Sequence, residues 1–426
     1  MTQIDKKIID KNTIDKLRES PLFNLSLSSK ELFHSEFIAW VGNTYTTEFD
    51  NIFREYLKFN SVEYRFCRIE REENHIDLTL YYCDKQDSDK RNCDKQNCNK
   101  QKKCKKQKIL IENKVKSMAY RSQLEEYSNE YQEHSYILLS LSKPSFFDNK
   151  EFQTEKNDTW HYVSYTSLKE KLNKLTEQKK KQYHKEIIKD YIKLIGNLTE
   201  IAIITDMFED GNNFDFHSKT TDKNYEKLEN IRFHDFYLKR KYERLAFELH
   251  KKLKDRAESK DKLYDFGERL DVKKLIKNKK EENKKDLYVD YGMTRGTGLL
   301  DFKYIINEDL ILGIQIQGEQ YRMVVEGEKV KGINDEERGR DLRKKLIEDV
   351  GWFNFEKSFS KIINEDVYLV YPEKKEKKLF NQFGDTFFYR SIKLGTTLTV
   401  GKLLDIIVKD IELIESNIKE LKEIQY

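Results

Sequence analysis

The sequence predicts an α/β protein in which helices flank a mixed sheet, followed by an α+β C-terminal domain. Within residues 1–205, candidate helices alternate with short apolar strands, the order typical of a sheet covered by helices. Between residues 287 and 326, four strand-like segments follow one another across short turns, which indicates an antiparallel sheet. A polar stretch, 210–222, separates the two halves, and we expect domains at 1–205 and 225–426.

Length and composition restrict the class of protein. The chain has 426 residues, enough for one large domain or two ordinary ones, and equal shares of hydrophobic and charged residues, 37% each. No apolar run approaches the length of a membrane span, and the N-terminus lacks the apolar core of a secretory signal. We therefore expect a soluble, cytoplasmic protein without membrane contact. The five cysteines do not form a disulfide framework, because four of them crowd into one polar stretch.

The stretch 108–115, Lys-Ile-Leu-Ile-Glu-Asn-Lys-Val, is predicted to be a buried strand with charges near its end. Its apolar residues lie on both faces, the pattern of a strand covered on both sides. Glu112 and Lys114 are two residues apart and must share a face, while Asn113 points away. Asp77 lies on the strand-like run that precedes this one. Charges in such strands carry a desolvation cost unless they pair, bind a metal or face a cleft.

Two carboxylates and a lysine on neighbouring strands suit metal-dependent cleavage of a phosphodiester. The reaction needs a nucleophilic water and neutralisation of the charge that develops on the phosphoryl oxygens, and a divalent cation can supply both. Mg²⁺ prefers one or two carboxylates together with waters and substrate oxygens. We therefore predict that Asp77 and Glu112 bind Mg²⁺, with Mn²⁺ as an acceptable substitute. Lys114 is predicted to orient the water or to stabilise charge in the transition state.

Two predicted helices carry further candidates. The first, 31–41, has Glu36 within an apolar stripe at i, i+4 spacing. The second, 121–132, places Gln123 and Tyr127 on one face, again four residues apart. Each of these side chains also has an ordinary interpretation, as a helix-surface carboxylate or as plain helix packing.

Together these residues resemble the PD-(D/E)XK nuclease superfamily, in particular a bacterial subgroup described as PD-(D/E)XK nuclease family proteins. The resemblance covers roughly 28–200 and is carried by short motifs in a fixed order. They are His34-Ser-Glu36-Phe37 as the acidic N-terminal helix, Ile76-Asp77 in place of Pro-Asp, Glu112-Asn-Lys114 as (D/E)-x-K, and Gln123-Leu-Glu-Glu-Tyr127 as the Gln-x-x-x-Tyr element of the exonuclease-like branch.

The resemblance implies a restriction-endonuclease-like fold and a Mg²⁺-dependent nuclease in restriction, repair or phage defence. We expect DNA as its substrate, and a nuclease that acts on RNA stays open as an alternative. The resemblance makes Glu36 a further catalytic carboxylate that binds metal, and it gives Gln123 and Tyr127 the role of holding substrate near the metal. The alternative from another class is a catalytically inactive protein of this fold that binds nucleic acid or a protein partner. The C-terminal domain is expected to recognise substrate or a partner, which includes a second copy of the chain.

A low-complexity insert, 84–108, interrupts the predicted nuclease domain. It holds ten Lys or Arg against four Asp, a local charge of +6 in a chain whose net charge is +4. Cys-Asp-Lys-Gln occurs at Cys83 and again at Cys93, the pattern of slipped repeats in an exposed hairpin extension. Three interpretations stay open: a solvated loop, a contact to phosphate backbone, or a zinc site built from its cysteines.

Overall fold

The computed structural model shows two compact units, each built around its own sheet. The first unit comprises Met1–Asp206 and Lys227–Phe236, and the second comprises Met207–Glu226 and Tyr237–Tyr426. The residues that the structure describes are 8–29, 31–57, 64–73, 75–84, 106–132, 134–177, 181–206, 223–256, 259–267, 285–294, 296–359, 367–368, 379–394 and 398–424.

The first unit contains a mixed six-stranded sheet in the order β1-β2-β3-β4-β6-β5. The first three strands are antiparallel neighbours, β3, β4 and β6 run parallel, and β5 pairs antiparallel at the edge. The predicted mixed α/β architecture is therefore confirmed for this unit. The strands are β1 Tyr64–Glu73, β2 Ile76–Asp84, β3 Lys106–Lys114, β4 Ser135–Ser140, β5 Glu151–Gln153 and β6 Thr159–Ser164.

Helices precede the sheet, connect its strands and follow it. The sequence did not predict α2, which begins on Pro21, a residue suited to the first helical position because its missing N–H would have no partner there. Among the described residues, no helix is both long and apolar enough to cross a bilayer. The helices up to residue 254 are α1 Lys11–Glu19, α2 Pro21–Ser29, α3 Glu31–Thr44, α4 Thr46–Phe53, α5 Arg121–Glu130, α6 Tyr165–Thr176, α7 Gln182–Asp206, α8 Lys223–Glu229 and α9 His234–Lys254.

Strand β3 is covered on both faces, and its alternate residues meet different helices. Leu110 packs in a core cluster with Leu124 of α5 on one face. On the other face, the Asn113 side chain bonds to Ser35 of α3 and to Tyr165 at the start of α6. The alternation therefore separates the two faces as the sequence predicted.

The predicted insert begins and ends inside strands. Strand β2 extends to Asp84 and β3 begins at Lys106, so only 85–105 lie between them. Cys83 is a buried residue of β2. The other three clustered cysteines lie outside the described residues, as do most of the basic side chains, and the zinc and phosphate interpretations stay untested with them.

The second unit is α+β, with an antiparallel sheet in the order β11-β13-β10-β9-β8-β7 and β12 paired to β13. The four strands predicted between residues 287 and 326 are present and antiparallel. The strands are β7 Leu287–Thr294, β8 Thr297–Asn307, β9 Leu310–Gln317, β10 Gln320–Glu326, β11 Val367–Tyr368, β12 Asn381–Phe383 and β13 Phe387–Leu394, and the helices that follow α9 are α10 Arg340–Lys344, α11 Phe355–Phe359, α12 Val400–Ser416 and α13 Ile418–Lys422.

Helix α12 buries an apolar stripe that contains one carboxylate, Asp410. The Asp410 carboxylate accepts hydrogen bonds from the Tyr321 hydroxyl of β10 and the Ser358 hydroxyl of α11, both at 2.6 Å. Burial raises the pKa of Asp410 to about 6, although these two hydrogen bonds oppose the shift. The charged form is therefore disfavoured in the folded chain.

We expect Asp410→Asn to remove a pH dependence of stability. Between the ordinary aspartate pKa of 3.8 and about 6, the folded wild type keeps a proton that the unfolded chain releases. The wild-type free energy of unfolding therefore falls as the pH rises through this window, and the variant lacks this loss. Relative to wild type, the variant should gain up to about 3 kcal/mol between pH 4 and pH 7 in urea unfolding. A difference that stays constant across that range would contradict the assignment.

Candidate active site

Asp77 and Glu112 meet where strands β2 and β3 separate. The last paired residues of these strands are Leu78 and Ile111, so Asp77 and Glu112 are the next opposed positions. Beyond the last backbone pair, a side chain supplies the acceptor: Asp77 Oδ2 accepts a hydrogen bond from the backbone N–H of Asn113 at 2.7 Å. The charge of Asp77 also acts on the Glu112 carboxyl group. The structure thus brings together the two acids that the sequence predicted as metal ligands.

The Glu112 carboxylate is almost fully buried, with 2% of the residue exposed, and its two oxygens differ in their contacts. Oε1 lies 2.5 Å from the Lys114 ammonium and accepts a hydrogen bond from Gln123 Nε2 at 2.9 Å. Oε2 is buried and receives no hydrogen bond from any described residue. A buried carboxylate oxygen without a partner is unusual, because leaving it unsatisfied costs about 1–3 kcal/mol or more.

Glu112, which is buried, and Asp77, which is half-buried, both have perturbed protonation equilibria. Burial raises the pKa of Glu112 to about 7, and neighbouring Asp77 adds to the shift while Lys114 opposes it. Burial likewise raises the pKa of Asp77, against the hydrogen bond from the Asn113 N–H and the charge of Lys114. Two carboxyl groups this close favour sharing one proton over carrying two negative charges. A cation between them would remove that conflict.

Lys114 remains a cation in this environment. Burial alone would lower the pKa of its ammonium, but the charges of Glu112, Asp77 and Glu31 outweigh burial and raise it. Lys114 is therefore protonated at neutral pH, so it can donate hydrogen bonds and stabilise negative charge but cannot accept a proton from water.

Helix α5 holds the two polar side chains that were predicted to position substrate. The buried Leu124 fixes the helix on the sheet. Gln123 then reaches Glu112 and also donates to the Tyr127 hydroxyl at 3.1 Å. That hydroxyl donates in turn to the carbonyl of His75 at 3.4 Å, in the turn before Asp77. The structure thus connects both residues to the carboxylates, and their contact with substrate stays a prediction.

The structure places Glu36 away from this group. Glu36 is 57% exposed at its side chain, and its Oε1 pairs with Arg71 of strand β1 at 2.7 Å. The acid of helix α3 whose charge acts on Asp77 and Lys114 is Glu31, at the first position of the helix. The predicted metal-binding role of Glu36 therefore has no support in the geometry.

Glu31 was missed by the sequence analysis, and it holds the turn that follows Lys114. Its Oε1 accepts hydrogen bonds from the backbone N–H of Lys116 at 2.8 Å and from both the N–H and the hydroxyl of Ser117, at 2.9 and 3.0 Å. The Val115 N–H approaches the same oxygen at 3.4 Å. Burial would raise the pKa of Glu31, and these bonds outweigh burial and lower it. Glu31 is therefore a charged clamp on the end of β3.

The donor set suits a hard divalent cation. Asp77 and Glu112 offer two carboxylates from adjacent strands, and Glu112 Oε2 has no other partner among the described residues. Mg²⁺ typically takes one or two carboxylates and completes its octahedron with waters and substrate oxygens. No group of three or more His, Cys, Asp or Glu side chains forms a metal cluster in the described part of the chain. The fit therefore rests on the pair of carboxylates.

Comparison with protein-family models, with curated proteins and with solved structures found no match to this chain.

We expect Glu31→Ala to destabilise the chain far more than Glu36→Ala. The first substitution leaves the N–H groups of Lys116 and Ser117 without their charged acceptor and should lower the free energy of unfolding by about 2–3 kcal/mol. The second removes an exposed ion pair and should change it by less than about 0.5 kcal/mol. Urea unfolding at pH 7.5 measures both. Equal losses of unfolding free energy in the two variants would contradict the role of Glu31 in holding the turn after Lys114.

Proposed function

We propose that the chain is a metal-dependent nuclease of the PD-(D/E)XK superfamily that hydrolyses phosphodiester bonds in DNA. The observation that carries this proposal is the pair of half-buried Asp77 and buried Glu112, with Lys114 bonded to one Glu112 oxygen and the other oxygen without a partner among the described residues. The order of elements supports it as well: an antiparallel pair that carries Asp77, a strand that carries Glu112 and Lys114, then a helix that carries Gln123.

Asp77 and Glu112 would hold Mg²⁺, or Mn²⁺ in its place. The bound cation supplies a nucleophilic water at neutral pH and neutralises charge on the phosphoryl oxygens. The side chains around it fix the two carboxylates: the Asn113 N–H orients Asp77, and the Gln123 amide orients Glu112. Fixed carboxylates favour catalysis because the oxygens that bind the metal do not have to reorganise during the reaction.

Lys114 acts as a cationic donor. Its raised pKa keeps the ammonium charged at the pH at which the carboxylates are ionised. The ammonium lies against Glu112 and shares a strand face with it, so a phosphate on a metal held by Glu112 would bind near Lys114. A hydrogen bond from Lys114 to a phosphoryl oxygen would grow stronger as negative charge accumulates there.

DNA is the proposed substrate because the enzymes of the superfamily that this chain resembles act in restriction, repair and phage defence.

The test is cleavage of single- and double-stranded DNA and RNA with Mg²⁺ or Mn²⁺. We expect DNA cleavage that EDTA abolishes and that falls at least about a hundredfold in Asp77→Asn, Glu112→Gln and Lys114→Met. Glu186→Gln, an exposed glutamate of α7 that pairs with Lys189, is the matched control and should retain activity.

Different outcomes separate the alternatives. Cleavage of RNA alone would change the proposed substrate from DNA to RNA and would still support the proposed site. Binding of nucleic acid without cleavage, together with no uptake of Mn²⁺, would favour a binding module that retains the fold. Cleavage that persists in Glu112→Gln would place the chemistry elsewhere in the chain.

A further inference from the structure

Asn113 lies between the two charged residues of β3, and its side chain is buried on the opposite face of the sheet. None of its surface is exposed. Its Oδ1 accepts a hydrogen bond from the Tyr165 hydroxyl at 2.7 Å, and its Nδ2 donates to Ser35 Oγ at 3.0 Å. A weaker contact at 3.4 Å joins Nδ2 to the backbone carbonyl of Glu31. The amide is thus held by residues in the N-terminal halves of two helices, α3 and α6.

The hydrogen bonds from the Asn113 side chain to Tyr165 and Ser35, here called its anchor, belong to a larger buried network of uncharged groups. The Tyr165 hydroxyl also bonds to Tyr191 of α7, and the Tyr191 hydroxyl lies 3.1 Å from His34 Nδ1. Burial lowers the pKa of His34 to about 3, so this imidazole is neutral at physiological pH. Three helices and one strand therefore meet in a network of hydroxyl, amide and imidazole groups, which satisfies donors and acceptors that would otherwise be buried alone.

The backbone of Asn113 faces the metal-binding pair. Its N–H is the donor to Asp77 Oδ2, at 2.7 Å. The direction of that N–H follows the peptide plane, and the side-chain anchor of the same residue restrains the plane. If the position served packing alone, an apolar side chain would fill it without needing Tyr165 and Ser35 as partners.

We propose that Asn113 is a positioning residue: its anchor on Tyr165 and Ser35 fixes the backbone N–H that orients Asp77, and thereby sets the geometry of the two metal-binding carboxylates. This inference rests on the proposed metal-dependent function. It assigns a role to the middle position of Glu112-Asn113-Lys114, which contributes no side chain to the site itself. Partners around a metal ligand commonly change metal affinity by 10- to 100-fold.

The test measures Mn²⁺ binding to the full-length chain by isothermal titration calorimetry. Asn113→Leu keeps the volume and removes the anchor, and we expect about tenfold weaker binding. Tyr165→Phe removes only one hydroxyl and should weaken binding in the same direction by a smaller factor, so it serves if the leucine variant does not fold. Tyr321→Phe is the matched control: it removes an equally buried hydroxyl of the second unit, which bonds to Asp410 and has no contact with Asn113 or Tyr165, and its Mn²⁺ affinity should equal that of wild type.

A double-mutant cycle on stability decides the same point without metal. If the anchor orients the N–H toward Asp77, then loss of that hydrogen bond in Asp77→Ala should cost Tyr165→Phe less stability than it costs wild type. The unfolding constant of the double variant should differ by at least about threefold from the product of the single effects. The cycle of Asp77→Ala with Tyr321→Phe, whose hydroxyl lies in the second unit and bonds to Asp410, should be additive.

The failures are distinguishable. Absence of Mn²⁺ binding by wild type would refute the proposed function, while coupling between Tyr165 and Asp77 would still support the positioning role. Unchanged Mn²⁺ affinity in both anchor variants, or additive cycles for both tyrosines, would overturn it and leave Asn113 as a packing residue.

Discussion

The structure of the first unit depends on holding negative charge inside a sheet. Asp77 and Glu112 face each other at the end of adjacent strands, and burial raises the pKa of both. Desolvation of two acids is unfavourable, so each carboxylate needs a donor within reach. Lys114 supplies a charge, Gln123 an amide and Asn113 a backbone N–H. The remaining oxygen, Glu112 Oε2, receives no hydrogen bond from any described residue and is suited to bind a cation.

Different helices contact the two faces of strand β3. On the site face, α5 provides Gln123 and packs by Leu124. On the opposite face, α3 and α6 hold the Asn113 side chain, and Glu31 of α3 caps the turn after Lys114. Since alternate residues of one strand are fixed from opposite sides, a shift of either helix layer would move the carboxylates. The polar network behind the strand is therefore as relevant to the site as the residues in it.

The sequence predicted those parts of the site that depend on local periodicity. Alternation along a strand put Glu112 and Lys114 on one face, and i, i+4 spacing put Gln123 beside Tyr127. Both relations hold in the structure.

The choice of acid on α3 could not be made in that way, because it depends on which side of the helix meets the sheet. An apolar stripe through Leu32 and Trp40 suggested that Glu36 faces inward, yet Leu32 is exposed and Trp40 half-buried. The buried side of the helix includes the polar residues His34 and Ser35. The same side also carries the buried apolar residues Phe37, Ile38 and Val41. The helix thus has apolar residues on more than one side, and patterning alone does not decide which side meets the sheet.

The second unit shows why residue spacing alone is a weak indicator of such a site. Asp301-Phe302-Lys303 on β8 repeats the acid-x-lysine spacing, and Asp290 of β7 lies directly opposite Asp301, as Asp77 lies opposite Glu112. Lys303 is bonded there to Glu326 at 2.7 Å and lies 3.5 Å from Asp301. Among the described residues, no buried oxygen of Asp301 or Glu326 lacks a hydrogen bond, whereas Glu112 Oε2 does. This unpartnered oxygen is the difference between the two groups of charges, and it is the reason for proposing the metal site in the first unit.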